Sequence, residues 1–400
     1  MKFFAPKEWK LLWPFYTFSF LFSFAALSGS FIVIFYQNRG LTLTDVAMLW
    51  IIMAIVNFFA EVPTGVIADV LGRKTSTLIG LFGTGLIWIT IPFIHTYNGF
   101  VIMISLLAIA QTFISGAKEA WVYDLLKQHK QQQLIKNYYA HTTFFKYAGF
   151  VIGPALASLL VPHTGIDFLF IIDGILSCFV TTILLFAPEY FSRASHTIRQ
   201  HGAQTLHLAK KGFQFIKKNL AFKLMLTGSI GITGWSLIKE LADQPYLVSV
   251  GMPVAYLGFF FSVLAIFTAI SPLIGSYLVK KVGEKKLLIF MATTLTVLPL
   301  LLFLTKAPHY LLASALLFLI DIPLFISLPT YRAHLQHLIP SKVRATVLSA
   351  ESMIDAILSI IFLSIGGPVL DAIGPRNGLA LAGLLAIPSV FAFAFLKLKK

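Results

Sequence analysis

Charged residues are scarce in this 400-residue chain, at 12%, and acids are scarcer than bases: 16 Asp and Glu against 31 Lys and Arg. A soluble domain carries about twice that charged fraction, which excludes the ordinary soluble class. Cysteine is nearly absent, and with only Cys178 no intramolecular disulfide can form. No His/Cys cluster has metal-ligand spacing, the ten His being scattered over loops and helix ends. No GxxxxGK[ST] run offers a nucleotide-phosphate loop, and no nucleophile-and-base pair stands out. No metal, cofactor, ATP-driven step or enzymatic activity is therefore expected.

Apolar residues are abundant, at 58%, with 38 Phe and a mean hydropathy of +0.84. The first six apolar runs cover about 11–36, 46–68, 76–97, 99–125, 139–161 and 166–187. Six more cover about 222–248, 254–279, 287–305, 309–334, 345–371 and 378–397. Each reaches the ~20 residues that cross ~30 Å of hydrocarbon. In lipid a spanning segment must satisfy its own backbone, so the expected class is an all-α polytopic membrane protein with twelve transmembrane helices. The bilayer is its first partner.

The net charge of +15 is explained by where the bases fall. With the N-terminus in the cytoplasm, 25 of the 31 Lys and Arg lie on the inner side and three, Arg39, Lys306 and Arg376, on the outer. That asymmetry is the positive-inside pattern and puts both termini in the cytoplasm; no nucleic acid is needed to account for it. Residues 11–24 look like the apolar core of a signal peptide, with Ala25–Gly29 as a cleavage-like site. The apolar run continues through Phe31–Phe35, so an uncleaved first span is expected.

The longest polar stretch, 189–221, divides the spans six and six, giving bundles at 1–188 and 222–400 joined by a cytoplasmic linker. Ala203 to Lys218 alternates apolar and basic residues as an amphipathic helix on the inner leaflet would; a flexible basic linker is the other reading. The halves echo each other. Gly72-Arg73-Lys74 after span 2 matches Gly283-Glu284-Lys285 after span 8, and Gly153-Pro154 in span 5 matches Gly367-Pro368 in span 11. Nearly constant offsets fit two pseudo-symmetric six-helix bundles.

Between spans 2 and 3 the chain reads Gly65-Val-Ile-Ala-Asp69-Val-Leu-Gly72-Arg73-Lys74. This G-x-x-x-D-x-x-G-R-K run resembles the signature loop of the major facilitator superfamily. The resemblance implies secondary transport by alternating access, function as a monomer, and a central cavity lined by spans 1, 4, 7 and 10. It also implies that Asp69 faces the start of span 11, near Arg344–Ser349, and that Arg73 meets a carboxylate at the inner end of span 4, where Asp124 stands. Gly149-x-x-x-Gly153-Pro154 in span 5 is similar to the glycine-proline motif of proton-coupled drug antiporters, with Ala157-Ser158 in place of a glycine pair. The arginine those antiporters carry in span 4 has no counterpart in Gln111–Gly116.

Charges inside spans cost a few kcal/mol or more and must face protein or water. Asp321, mid-way along span 10, has no neutralising neighbour in its own helix; it either pairs across the bundle or carries a proton. Glu119 and Glu240 are further proton-coupling candidates. Gln111 and Ser115 lie on the same face of span 4 as Lys118 by helical spacing, and Lys239 and Asp243 stand one turn apart in span 7, as substrate contacts or as a salt bridge. Tyr16, Phe20 and Phe24 form an aromatic stripe on span 1, facing cavity or lipid. Glu351, Asp355 and Lys146 are candidates for an interhelical pair; Asp173 has no assigned role. The expected function is proton-coupled export of a small amphipathic or drug-like compound across a bacterial inner membrane. Uptake of a nutrient or metabolite, or a transporter-like sensor, are the alternatives.

Overall fold

The computed structural model describes residues 4–189, 215–340 and 344–396, and every regular element among them is helical. The helices are α1 (Glu8–Phe24), α2 (Ile32–Asn38), α3 (Leu43–Leu71), α4 (Arg73–Thr90), α5 (Tyr97–Ile114), α6 (Ala117–Gln128), α7 (Ile135–Thr164) and α8 (Asp167–Leu185). After the linker come α9 (Leu220–Ser249), α10 (Leu257–Val282), α11 (Glu284–Val297), α12 (Tyr310–His337), α13 (Arg344–Ala382) and α14 (Ile387–Phe395). The amphipathic helix expected over 203–218 falls mostly on residues outside those described.

Eleven stretches are long and apolar enough to cross a bilayer. The last, Thr346–Phe395, runs for 50 residues, about 75 Å if straight and more than twice the ~30 Å of hydrocarbon. Gly374, at φ 81° and ψ 156°, breaks it into two arms, so the described residues hold twelve crossings.

Glycine at positive φ, which a side chain would strain, ends one span and starts the next at matched places in the two halves. Gly40 and Gly251, Gly72 and Gly283, and Gly165 and Gly374 all lie at φ between 77° and 99°. The partners stand 211, 211 and 209 positions apart. The internal repeat is thus written into the turns as well as into the helices.

The described residues form two compact units. One comprises Met1–Phe35, Ile52–Gly202 and Ala255–Ala265; the other comprises Tyr36–Ile51, Ala203–Val254 and Ile266–Lys400. Helices α3 and α10 therefore each contribute to both. In the first unit α7 backs directly onto α1. A Cβ at Gly149 would sit 2.5 Å from the Phe20 carbonyl oxygen, and one at Gly153 2.5 Å from that of Phe24. Small residues allow this approach where no hydrophobic force separates helix from lipid. The start of α10 joins the same unit: the Phe259 N–H donates to Ser158 Oγ at 2.8 Å, and the Ser262 hydroxyl donates to the Val151 carbonyl. In the second unit Gly367 of α13 takes the same close approach to the backbone of Thr44.

Candidate functional site

The densest buried charge cluster lies in the second unit, between α9 and α12. Lys239 Nζ is 3.1 Å from Asp243 Oδ2 and 3.2 Å from Asp321 Oδ2. All three side chains are buried, with Asp321 only 1% exposed. The Trp235 indole N–H reaches Asp321 Oδ1 at 3.3 Å, and the Gln244 N–H donates to Asp243 Oδ1 at 2.7 Å. Asp321 Oδ2 has no hydrogen bond of good geometry, so its neutralisation rests on a lysine it shares. One cation facing two carboxylates leaves the cluster one negative charge in excess when all three are ionised. Such a group is costly in a low-dielectric interior unless a proton joins it. Helical spacing alone pairs Lys239 with Asp243; the structure adds Asp321 from another helix.

The other proton-coupling candidates differ in setting. Glu119 is half exposed and pairs with Lys118 at 3.1 Å. Glu240, one residue from Lys239, is exposed. On α13 Glu351 binds Arg332 at 2.9 Å, whereas buried Asp355 Oδ1 finds no hydrogen-bond partner among the described residues.

Span 4 is not one helix. Ser115, at ψ 130°, and Gly116, at φ 71°, separate α5 from α6, so Gln111 and Ser115 do not share a continuous face with Lys118. Glycine at positive φ unwinds the helix, and irregular backbone at membrane depth is tolerated where it borders protein or a cavity. Lys118 lines a cavity of about 470 Å³ between α1, α6 and α7, entirely within the first unit. The wall that α1 gives it is Phe18, Ser19, Phe22 and Ser23. Of the aromatic stripe, Phe20 and Phe24 stack on each other at 5.9 Å, while Tyr16 is buried with its hydroxyl donating to Glu8 Oε1 at 2.7 Å.

That Glu8 contact belongs to a second buried cluster, at the start of α1. The carboxylate accepts from the Ala5 N–H at 2.8 Å and from Asn137 Nδ2 at 3.1 Å, and His141 Nδ1 stands 2.5 Å away. Asp173 gains a role as well. It accepts from the Leu27 and Ser28 N–H groups and the Ser28 hydroxyl at 2.6–3.0 Å, capping the 3₁₀ turn Ser28–Phe31 that interrupts span 1. The cleavage-like run at Ala25–Gly29 leads into this break.

In the signature loop, Arg73 binds Asp124 at 2.5 Å. The Lys74 ammonium donates to the Leu185 and Ala187 carbonyls at 2.7 and 2.8 Å, and its N–H to Glu189 Oε1 at 2.9 Å. Gly65 is exposed and Asp69 half-buried; the implied partner of Asp69 adjoins residues 341–343, outside those described. A carboxylate absent from the sequence reading, Asp371 of α13, caps the start of α3 within the second unit. It accepts from the Leu43 and Thr44 N–H groups, each at 2.9 Å, and from the Thr44 hydroxyl at 2.6 Å.

Long apolar spans, glycine-ended repeats and charge buried between helices define a polytopic helical membrane protein. The family model described as Major Facilitator Superfamily matches residues 15–363, and the chain belongs to that superfamily. It is 25% identical over 265 residues to the uncharacterized MFS-type transporter YxaM of Bacillus subtilis (strain 168), a match covering 63% of this chain and 64% of that protein. It is 22% identical over 259 residues to the uncharacterized MFS-type transporter MJ1560 of Methanocaldococcus jannaschii, covering 64% of each. Each match thus spans a little under two thirds of the relative's length. Among solved structures, the nucleoside transporter NupG has a TM-score of 0.73 at 15% identity, over 96% of this chain and 98% of that one. A D-xylose-proton symporter has a TM-score of 0.69 at 13% identity, over 96% and 97%. At such identities the likeness concerns the fold.

Proposed function

We propose that this chain is a proton-coupled secondary transporter of a small organic solute, working by alternating access in a bacterial inner membrane as a monomer with both termini cytoplasmic. The observation that carries the reading is Lys239 held between Asp243 and Asp321. A proton on either carboxylate would balance the cluster, and its loss would leave an excess charge for the protein or the solute to compensate. Asp321 is the proposed proton carrier, because its second oxygen depends on Lys239 alone. The contacts of Arg73 with Asp124 and of Lys74 with the end of α8 are the proposed inner gate, with Asp69 beside them.

Export of an amphipathic or drug-like compound is the first direction. Gly149 and Gly153 of the antiporter-like motif seat α7 on α1, a packing role compatible with either direction. Uptake is the second reading, and it is supported by the fold neighbours, a nucleoside transporter and a D-xylose-proton symporter.

The test is growth of a pump-deficient bacterium expressing the chain on a panel of toxic compounds, followed by proton movement in membrane vesicles when an active compound is added. Protection with solute-driven proton movement, both lost in Asp321→Asn at matched expression, supports proton-coupled export. Sensitisation with the same proton signal supports uptake. Solute movement without any proton signal in the unaltered protein would overturn the coupling.

A further inference from the structure

The cavity between α1, α6 and α7 holds two lysines and one glutamate. Lys118 is spoken for: its ammonium lies 3.1 Å from Glu119 and 4.6 Å from the centre of the Phe18 ring. Lys146 has no carboxylate within ion-pair distance among the described residues, and its ammonium sits 5.6 Å from the centre of the Phe150 ring. Lys146 is exposed on the cavity wall, where a cation inside a span can stay without a counter-ion, and the cavity carries a net positive charge.

The hydroxyls of the wall sharpen the chemistry. Ser19 donates to the Phe15 carbonyl, Thr142 to that of Tyr138 and Thr143 to that of Tyr139, at 2.6–2.8 Å. Those three protons are used, so Ser19, Thr142 and Thr143 offer only lone pairs; Ser23, Tyr138 and Tyr139 add neutral hydroxyls to the wall, and the two ammonium groups are its charged donors. Phe18, Phe22 and Phe150 supply aromatic faces around them. Anion-seeking donors set among aromatic rings match a ligand with a negative head and a flat apolar body. A volume near 470 Å³ has room for such a molecule.

We propose that this cavity binds an organic anion bearing an aromatic ring, with Lys146 holding its carboxylate or phosphate group and Phe18, Phe22 and Phe150 packing its ring. The assignment rests on the transporter reading in one respect: the bound anion is the solute carried.

The test is binding to the purified full-length chain in detergent, by equilibrium dialysis and by the ligand-induced rise in melting temperature. The probes are salicylate, phenyl phosphate, hexanoate, benzylamine and salicylamide, the last a neutral near-isostere of salicylate. The expected result is binding of salicylate or phenyl phosphate roughly ten- to a hundredfold tighter than of salicylamide, the range of a charge-assisted contact. Hexanoate and benzylamine should also bind weakly. Lys146→Gln should erase the preference for salicylate over salicylamide, and Lys146→Arg should keep most of it. Salicylamide or benzylamine binding as tightly as the aromatic anions would overturn the proposal, as would an unchanged preference in Lys146→Gln or no binding of either aromatic anion. Proton movement in vesicles separates this from the transporter reading. Lys146-dependent binding without proton movement leaves the anion site standing and defeats the coupling. Proton movement driven only by neutral or cationic compounds does the reverse.

Discussion

In the first unit, Glu8 and Asp173 are buried carboxylates surrounded by donors: Glu8 meets a backbone N–H, a phenol, an amide and an imidazole, and Asp173 meets two N–H groups and a hydroxyl. In the second unit, Asp243 and Asp321 are equally buried and divide one lysine. The difference is in solvation rather than depth. A carboxylate given its full set of donors has its oxygens satisfied by the protein, so it serves as a structural post. Two carboxylates on one cation form a coupled group whose charge state can change with a partner. Burial of an acid inside a span is therefore not enough to mark a coupling site; the inventory of its donors separates these two settings.

The largest effect that should follow is functional and confined to the second unit. Asp321→Asn should abolish proton-coupled transport while the protein melts close to the unaltered temperature, because the substitution removes the excess charge. Lys239→Met should do the opposite kind of damage. It leaves two buried carboxylates without a cation and should lower stability by about 3–5 kcal/mol, read as early loss of the monodisperse peak on heating in detergent. A strongly destabilised Asp321→Asn protein would break the distinction, since Asp321 would then behave as Asp173 does.

Next in size is the first unit's post. Asp173→Ala leaves two backbone N–H groups and a buried hydroxyl without their acceptor. At about 1–3 kcal/mol for each unsatisfied group, a drop of several kcal/mol in stability is expected. Any surviving folded fraction should keep its proton coupling. Loss of coupling at full stability would remove the contrast between the units.

These distinctions set the limit of what the sequence could disclose. The spans were legible because bilayer thickness fixes run length, and the Lys239–Asp243 pair because one helical turn brings those positions together. The partners of the buried acids come from afar in the chain. Glu8 meets Asn137 and His141, Asp173 meets Ser28, and Asp321 meets Lys239, and no local period encodes such pairings. The interruption at Ser115-Gly116 was hidden for another reason: small residues are common in membrane helices, and only the positive φ distinguishes a break from a packing site. The donor capacity of the cavity wall also depended on structure, since a serine or threonine in sequence does not reveal where its proton goes.

The smallest effects concern the two ion-handling ends of α3. At its start, Asp371→Asn keeps an acceptor oxygen but weakens a charge-assisted cap, and a loss of about 1 kcal/mol is expected. Just past its end, Arg73 at the start of α4 and Asp124 are each about a third or more exposed, and such pairs contribute about 0–1 kcal/mol. Arg73→Gln should therefore leave the melting temperature almost unchanged. If the pair is a gate, its influence lies in the balance between conformations: a shift of about 1.4 kcal/mol changes that ratio tenfold without touching overall stability. The check is the rate at which a cysteine placed at Tyr123 reacts with a membrane-impermeant thiol reagent applied to the face that carries the Arg73 loop, in a Cys178→Ser background. Faster labelling of the Tyr123→Cys protein when Arg73→Gln is added, at constant melting temperature, marks a gate. Equal labelling with equal stability would make the pair an ordinary surface contact, and the signature loop would then act through Lys74 and the end of α8.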